Sequence, residues 1–349
     1  MRKRYFFGGL TLDVTLEEPW GFRELLPEER TVADKLSRGG DIGVIPVPAD
    51  KLEDLSLNER LTGRAGIRPQ RYILDFSQYA PFEVRQGDAP ADYSMTIHAE
   101  VADWLLESEK DKSSWQRMVA VDEVAPFYYG YRVGDKIIYE FFPVKDVSAG
   151  LLVLNEDSTK GDYYPRPRIG SRATMFQVNT SLMIMFTYVG AAKGSLLLHS
   201  SAVRHGGEAN LFFGVSGTGK STHSRLWLTY VPGTDLLNDD NPVVRFEDGR
   251  LMVYGTPWSG KTLCYRNVKA PVRAMVRLEQ APENTIERLV SLNAYASVIA
   301  AVSTIRWNRS VMDLIIPVVE KIAMEVPCWQ LSCRPDEEAV MVCKGAIEG

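Results

Sequence analysis

The segment Gly214-Val-Ser-Gly-Thr-Gly-Lys-Ser221 limits the folds open to this chain more than any other part of the sequence. It matches the pattern G-x-x-x-x-G-K-[ST] at every fixed position. The apolar run Leu211–Phe213 precedes it, and residues 222–230 have the composition of a helix. The sequence therefore predicts a strand, a glycine-rich loop and a helix, which is the local structure in which such a loop binds phosphate.

The residue types of this loop suit the phosphates of a nucleotide. Its glycines permit a tight turn that points backbone N–H groups inward, and the start of the following helix adds partial positive charge. Lys220 is expected to neutralise the β- and γ-phosphates, and the Ser221 hydroxyl is expected to bind Mg²⁺. The residues predicted to contact the nucleotide are Gly214, Ser216, Gly217, Thr218, Gly219, Lys220, Ser221 and Thr222.

Two adjacent carboxylates, Asp239 and Asp240, follow the apolar pair Leu236-Leu237. Neighbouring carboxylates repel each other unless a cation or a proton relieves the repulsion, and beside a nucleotide site a metal ion does this. Side chains next to each other on a strand point to opposite sides. One aspartate is therefore predicted to reach a metal, and the other to orient or deprotonate a nucleophile. The alternative is a simple Asn-Asp-Asp-Asn-Pro turn.

His199 is the histidine that the sequence places nearest to the loop. It lies in the apolar run Leu196–Val203, directly before the strand that leads into the loop. Strand pairing would bring it close to the phosphates, where it is a candidate metal ligand or proton carrier, and a core histidine is the alternative. His205 and His223 are expected at the surface, and His98 has no evident companion in the sequence.

The order of predicted elements indicates a mixed α/β fold with two domains. Residues 1–172 are expected to form a mixed, β-rich N-terminal domain, and residues 173–349 a nucleotide-binding domain. The polar stretch Asn155–Arg172 is predicted to be a linker or a long loop, and Thr174–Ala192 a buried helix. Further predicted elements are strands at Arg4–Glu17, Ile42–Val47, Tyr72–Phe76, Tyr93–His98, Ser195–Val203, Val243–Phe246, Leu251–Tyr254, Ala274–Leu278, Val326–Leu331 and Ala339–Val342, helices at Glu29–Leu36, Ala99–Glu107, Thr285–Val302 and Ser310–Ala323, and a hairpin turn at Gly134-Asp135.

Composition excludes several classes of protein. The hydrophobic fraction of 45% is too high for a disordered chain, and the net charge of −5 gives no reason to expect nucleic acid or an anionic membrane as a partner. Four cysteines in 349 residues form neither a disulfide framework nor a zinc pattern. A reduced, cytoplasmic protein is therefore expected.

The run LHSSAVRHGGEANLFFGVSGTGKSTHS, together with Asp239-Asp240, resembles the nucleotide site of ATP-dependent phosphoenolpyruvate carboxykinase. The bacterial HPr-serine kinase/phosphorylase belongs to the same superfamily and has a similar order of histidine, phosphate loop and paired aspartates. The resemblance covers about residues 193–263 and implies a carboxykinase/HPr kinase-like domain. It also implies that ATP is used with Mg²⁺, or with Mn²⁺ in its place.

The resemblance assigns roles to individual residues. In the carboxykinase pattern, His199 and Asp240 would bind the metal together with Ser221. In the HPr kinase pattern, Asp239 or Asp240 would be the base, and His199 would lie beside the transferred phosphoryl group. Lys261 is in Gly260-Lys-Thr-Leu, which is similar to an Ala-Lys-Thr-Ile segment of the carboxykinases, and it would contact phosphate.

The sequence departs from the carboxykinases upstream of the loop, where it has no Gly-Glu-x-Lys-Lys-Gly segment to supply a metal-binding lysine. We therefore expect an HPr kinase-like enzyme that transfers the γ-phosphoryl group of ATP to a hydroxyl of a small molecule or of a protein serine. Arg245 and Arg266 are either transition-state ligands or surface residues. The alternatives are a carboxykinase-like enzyme and a non-catalytic nucleotide sensor, and the sequence leaves homo-oligomerisation open.

Overall fold

The computed structural model describes residues 1–18, 20–23, 72–120, 127–143, 147–166, 171–260 and 262–349. These residues have the mixed α/β structure that the sequence predicts, with two nine-stranded sheets and a two-stranded sheet. The predicted helix at 29–36 and the predicted strand at 42–47 lie outside the described residues. Among the described helices, none is long and apolar enough to cross a membrane.

The first large sheet is formed by the N-terminal part of the chain. In chain order the strands of this part are β1 (Arg2–Phe7), β2 (Leu10–Leu16), β3 (Trp20–Phe22), β4 (Tyr72–Leu74), β5 (Glu83–Val84), β6 (Tyr93–Ile97), β7 (Gln116–Ala120), β8 (Phe127–Val133), β9 (Lys136–Phe142), β10 (Gly150–Leu154) and β11 (Lys160–Pro165). Their order in the sheet is β5-β1-β2-β6-β11-β10-β9-β8-β7, and β3 pairs with β4 in the two-stranded sheet. Strands β8 and β9 form the hairpin that the sequence predicts at Gly134-Asp135.

The second large sheet carries the glycine-rich loop. Its strands are β12 (Ser195–Leu197), β13 (Ser200–His205), β14 (Glu208–Phe213), β15 (Asp235–Asn238), β16 (Val243–Glu247), β17 (Arg250–Tyr254), β18 (Lys269–Gln280), β19 (Thr285–Leu289) and β20 (Cys328–Cys333). The main order is β12-β16-β17-β18-β14-β13-β15, with β20 beside β18 and β19 beside β20. Strands β14, β18 and β20 are parallel, so their carboxyl ends lie at the same edge of the sheet.

Helix α2 links the two large sheets through a shared core. The helices are α1 (Asp103–Lys110), α2 (Ser171–Ala192), α3 (Lys220–Tyr230), α4 (Ser291–Ala301), α5 (Arg309–Glu325) and α6 (Glu337–Glu348). One hydrophobic cluster contains Phe7 from the first sheet, Phe186 from α2 and Val243 from the second sheet. The prediction of a buried helix at 174–192 is confirmed, because Leu182 and Met185 have no exposed surface.

The predicted linker at Asn155–Arg172 is wrong over its central part. Residues 160–165 form β11, which lies between β6 and β10 inside the first sheet. Tyr163 and Tyr164 are buried there, and pairing on both sides satisfies the polar backbone of the strand. The polar residues that indicated a linker form a turn in which the Asp157 carboxylate accepts a hydrogen bond from the backbone N–H of Thr159.

Three other predictions for the C-terminal part are corrected by the structure. Residues 285–289 form a strand that pairs with β20, and the predicted helix begins only after it. The predicted strand at Ala339–Val342 is part of α6, because the Asp336 carboxylate caps the helix by accepting a hydrogen bond from the Ala339 N–H. The predicted strand at Ser195–Val203 is divided into β12 and β13 by a bend at His199.

His98 has companions that the sequence did not reveal. Its Nδ1 lies 3.0 Å from a carboxylate oxygen of Glu17, its Nε2 lies 2.8 Å from one of Asp162, and its ring stacks on Tyr164. Burial alone would lower the pKa of His98, but the hydrogen bond to Asp162 and the charge of Glu17 outweigh burial and raise it. The imidazole therefore links the residues that directly follow β2 and β6 to β11.

We predict that His98→Gln destabilises the protein more at about pH 5.5 than at about pH 8.5. A pKa that is raised in the folded state stabilises the fold fully below the unfolded value of about 6.5, and this contribution is lost as the pH rises through the folded value. Urea unfolding of both proteins at the two pH values measures the difference. His223→Gln is a control of opposite sign: burial lowers the pKa of His223 to about 4, so its neutral ring costs stability at about pH 5.5, where the unfolded state binds a proton, and its removal should destabilise the protein less at about pH 5.5 than at about pH 8.5. An equal loss from His98→Gln at both pH values would contradict the charged contact.

Candidate functional site

The glycine-rich loop joins β14 to α3, in the strand–loop–helix order that the sequence predicts. A Cβ atom on Gly214 would lie 2.8 Å from the backbone oxygen of Leu278 and 2.9 Å from the Thr218 hydroxyl, so this position has no room for a side chain. Gly219 precedes the helix with a φ of 101°, a conformation that residues with a side chain rarely adopt. The loop therefore needs glycine at these two positions for local steric reasons.

Side chains on both sides hold the loop in place. The Thr218 hydroxyl donates to the backbone oxygen of Val215 at 2.9 Å. The Gln280 amide, at the end of β18, donates to the backbone oxygen of Gly217 at 3.1 Å. The Lys220 ammonium turns back over the loop and donates to the backbone oxygen of Gly214 at 3.2 Å. Burial lowers the pKa of Lys220, and the charges of Asp240 and Asp239 oppose this shift.

The carboxylate of Asp239 is almost completely buried and is fixed by two other segments. One of its oxygens accepts a hydrogen bond from the Ser201 hydroxyl at 3.1 Å, and the other accepts one from the backbone N–H of Thr262 at 3.0 Å. The Ser201 hydroxyl also lies 2.6 Å from that of Ser224 in α3. Both oxygens of Asp239 are therefore engaged by protein groups.

Asp240 is more open to solvent than Asp239, and its charge interacts with that of Lys220. Its side chain is 33% exposed, and one carboxylate oxygen lies 3.5 Å from Nε2 of His199. The Asn241 amide donates to the other oxygen at 2.6 Å. Burial raises the pKa of Asp240, although the charges of His199 and Lys220 oppose this effect. Of the two carboxylates, Asp240 is the one that a ligand can reach.

His199 meets Asp240 because the chain bends between β12 and β13. The backbone N–H of Ser200 donates to the backbone oxygen of Asp240 at 2.9 Å, and the backbone N–H of His199 donates to the backbone oxygen of Ala301 at 2.8 Å. Burial and the nearby Lys220 charge lower the pKa of His199, and Asp240 opposes them. The structure thus brings together His199, Lys220 and Asp240, which are far apart in the sequence.

The buried side chain of Asn238 organises the acidic segment, and its role is not evident from the sequence. Its amide oxygen accepts hydrogen bonds from the backbone N–H groups of Asp240 and Asn241 at 3.0 and 2.9 Å. Its amide nitrogen donates to the Thr256 hydroxyl at 3.2 Å and to the backbone oxygen of Trp258 at 3.1 Å. The only sequence signal for this role is the turn-forming pattern Asn-Asp-Asp-Asn-Pro. This pattern is present whether the aspartates form a metal site or a simple turn.

The segment that follows Trp258 lies directly against the paired aspartates. A Cβ atom on Gly260 would be 2.7 Å from the backbone oxygen of Asp239 and 3.2 Å from Cβ of Asp240. Lys261, predicted to contact phosphate, lies outside the described residues. Its neighbours Gly260 and Thr262 both contact the acidic segment.

The remaining histidine and arginine candidates belong to the framework. The expectation that His223 is at the surface is wrong: its ring is buried against Phe212, and its Nε2 accepts a hydrogen bond from the indole of Trp227. Arg266 is likewise buried and donates to Asp235 and to the backbone of β15, rather than lying at the surface. Arg245 donates to the backbone oxygen of Gly9 in the first sheet.

A cavity of about 450 Å³ opens beside the loop, at the carboxyl edge of the parallel strands. Its walls are Gly217–Gly219, the first turns of α3, and the segments that follow β18 and β20. Leu226 and Leu278 give it an apolar side, while Gln280 and Arg334 give it a polar side. Cys333, one of four free cysteines, also lines this cavity.

Comparison with known families is consistent with this site. Residues 169–252 match the family model of phosphoenolpyruvate carboxykinase. The match is about a quarter of the chain and runs from the start of α2 through the loop and the paired aspartates to β17. It supports, for this part only, an ATP-using, carboxykinase- or kinase-like role with a divalent metal, and it contains nothing specific to HPr kinases. A search of curated proteins found no match to the chain.

We predict that Asn238→Ala lowers the free energy of unfolding by about 2–4 kcal/mol. The substitution leaves the buried N–H groups of Asp240 and Asn241 without their acceptor, and each such loss costs about 1–3 kcal/mol. Urea unfolding measures the change. Asn293→Ala, on the exposed side of α4, should alter stability by less than about 0.5 kcal/mol. Similar losses from the two substitutions would show that Asn238 does not hold the acidic segment.

Proposed function

We propose that this protein is an ATP- and Mg²⁺-dependent phosphotransferase that moves the γ-phosphoryl group to a hydroxyl acceptor, either a small molecule or a protein serine. The observation that carries the proposal is the meeting of Lys220, Asp240 and His199 at the mouth of the glycine-rich loop. Phosphoryl transfer to a hydroxyl needs a cation for the phosphate, a carboxylate for the metal and a group that takes up the proton, and an imidazole can serve as that group.

The available side chains fit a divalent cation. Mg²⁺ prefers oxygen ligands, and Asp240 and Ser221 would hold it. The raised pKa of Asp240 marks a partly buried carboxylate whose charge a cation would stabilise. In the described part of the chain, no three His, Cys, Asp or Glu side chains form a metal cluster, so phosphate oxygens are needed as further ligands. When bound, the ion would neutralise charge that develops on the phosphates.

The protein's own groups would position the reactants and move the proton. Loop N–H groups and Lys220 hold the γ-phosphate in line with the acceptor. The acceptor oxygen forms a bond to the γ-phosphorus while the bond between this phosphorus and the β-phosphate oxygen breaks, so that ADP leaves with the electron pair. We assign the hydroxyl proton to the imidazole of His199, whose pKa is lowered by burial and by Lys220, with Asp240 beside it.

We predict that Lys220→Ala reduces kcat/KM for Mg·ATP by about 10²–10³-fold, because the variant loses the charge that holds the transferred phosphate. Release of ADP is measured with a panel of serine-containing proteins and small alcohols as acceptors. Lys136→Ala, in the β8–β9 hairpin, is the matched control and should retain full activity. Turnover that survives Lys220→Ala unchanged would exclude this loop as the reacting site.

The cavity beside the loop is the proposed place of the nucleoside. It adjoins Gly217–Gly219, where the phosphates would lie, and its apolar and polar walls resemble other sites that take a flat ring with polar edges. The 450 Å³ volume is within the range of about 300–1,000 Å³ typical of small-molecule pockets. In this proposal the triphosphate would lie between the cavity and the cluster of Lys220 and Asp240.

We predict that Ala281→Tyr, which fills this cavity, raises the Kd for ATP at least about tenfold and leaves the Kd for inorganic triphosphate within about twofold. Isothermal titration calorimetry measures both ligands. Ala192→Tyr, at the exposed end of α2, is the control for adding a tyrosine. Equal loss of ATP and triphosphate affinity would mean that the nucleoside binds elsewhere.

The family match favours one second candidate, an ATP-dependent carboxykinase-like reaction on oxaloacetate. Release of CO₂ from oxaloacetate with ATP, measured on the same preparation, distinguishes it from transfer to a hydroxyl. ATP that binds but remains intact with oxaloacetate and with every hydroxyl acceptor would instead support a nucleotide sensor.

A further inference from the structure

The N-terminal part of the chain makes a buried hydrogen-bonded contact with the segment next to the paired aspartates. Tyr79 lies in a short 3₁₀ helix, Ser77–Phe82, and has no exposed surface. Its hydroxyl accepts a hydrogen bond from the indole N–H of Trp258 at 3.0 Å and donates one to the Asn179 side chain at 2.8 Å. Burial raises the pKa of Tyr79, so the hydroxyl keeps the proton that it donates.

The indole of Trp258 is also enclosed by aromatic rings from two other elements. Its ring centroid lies 5.2 Å from that of Phe7 in β1 and 5.6 Å from that of Phe186 in α2, both nearly perpendicular. Edge-to-face packing of this kind restricts the ring, and the bond to Tyr79 fixes its rotation. Trp258 thus has one orientation, which is set by residues outside the second sheet.

From Trp258 the contacts continue directly into the acidic segment. The backbone oxygen of Trp258 accepts a hydrogen bond from the Asn238 amide, and the Asn238 oxygen holds the N–H of Asp240. Two residues after Trp258, Gly260 packs on the backbone of Asp239. A shift of the indole would therefore move the groups that hold both aspartates.

We propose that Tyr79 is a positioning residue for the Asp239–Asp240 segment and acts through Trp258. Through this contact the N-terminal part of the chain would help to build the site, which gives this part a role in the reaction. The inference rests on the proposed function only where turnover is measured, because the position of the acidic segment can be followed in the absence of any reaction.

The test compares Tyr79→Phe with Tyr5→Phe. Both substitutions remove a buried hydroxyl from the same aromatic cluster, but the Tyr5 hydroxyl has no hydrogen-bond partner among the described residues. For Tyr79→Phe we expect hydrogen–deuterium exchange of residues 238–241 and 255–264 to become about fivefold faster. We also expect kcat to fall about fivefold, while the Kd for Mg·ADP stays within about twofold. Tyr5→Phe should change none of these quantities.

A second variant keeps the proposal falsifiable if Tyr79→Phe disturbs folding. Trp258→Phe retains an aromatic ring but lacks the indole N–H, so it should reproduce both effects, and the double variant should be no worse than either single one. Unchanged exchange at 238–241, or unchanged kcat in an active enzyme, overturns the proposal. If the wild-type protein shows no turnover, the proposed function fails by itself, and the exchange result alone decides the role of Tyr79.

Discussion

The candidate site depends on the buried amide of Asn238. Two aspartates next to each other would repel each other and would favour a flexible, solvated turn. The Asn238 side chain prevents this by holding the backbone of the acidic segment on one side and the Thr256–Trp258 segment on the other. As a result Asp239 is turned into the protein towards Ser201, and Asp240 is turned out towards His199 and Lys220. The different environments of two chemically identical side chains follow from this one residue.

The position of the site follows from the shared core. Most of helix α2 is buried because it packs against strands of both sheets, and Phe186 joins Phe7 and Trp258 in one aromatic cluster. The acidic segment is therefore not held by the second sheet alone. The N-terminal part, which has no sequence motif of its own, supports the segment that lies over the paired aspartates.

Local sequence signals predicted the parts of the fold in which one interaction dominates. The glycine-rich loop, the β8–β9 hairpin and the buried helix are set by glycine conformation or by apolar composition, and each is present. Strand pairing between distant segments and helix capping decided the elements that were predicted wrongly. The polar residues around β11 indicated a linker because no local pattern shows that this strand pairs. One partner, β6, is distant in sequence, and the other, β10, is joined to β11 by a polar turn. In the site, the motif residues could be named from the sequence. Asn238 lies in a turn-forming pattern that does not reveal its bonds to Thr256 and Trp258, and Ser201 and Tyr79 act through contacts that no local pattern encodes.

The proposed activity is the transfer of phosphate from ATP to a hydroxyl at the cluster of Lys220, Asp240 and His199. ³¹P NMR of the wild-type protein with Mg·ATP and a mixture of hydroxyl acceptors tests it most directly, because every phosphorus atom is followed at once. Transfer to a hydroxyl replaces the γ-phosphate signal by that of an equal amount of a phosphate monoester, together with ADP. Intact ATP, or inorganic phosphate with no monoester, would contradict it.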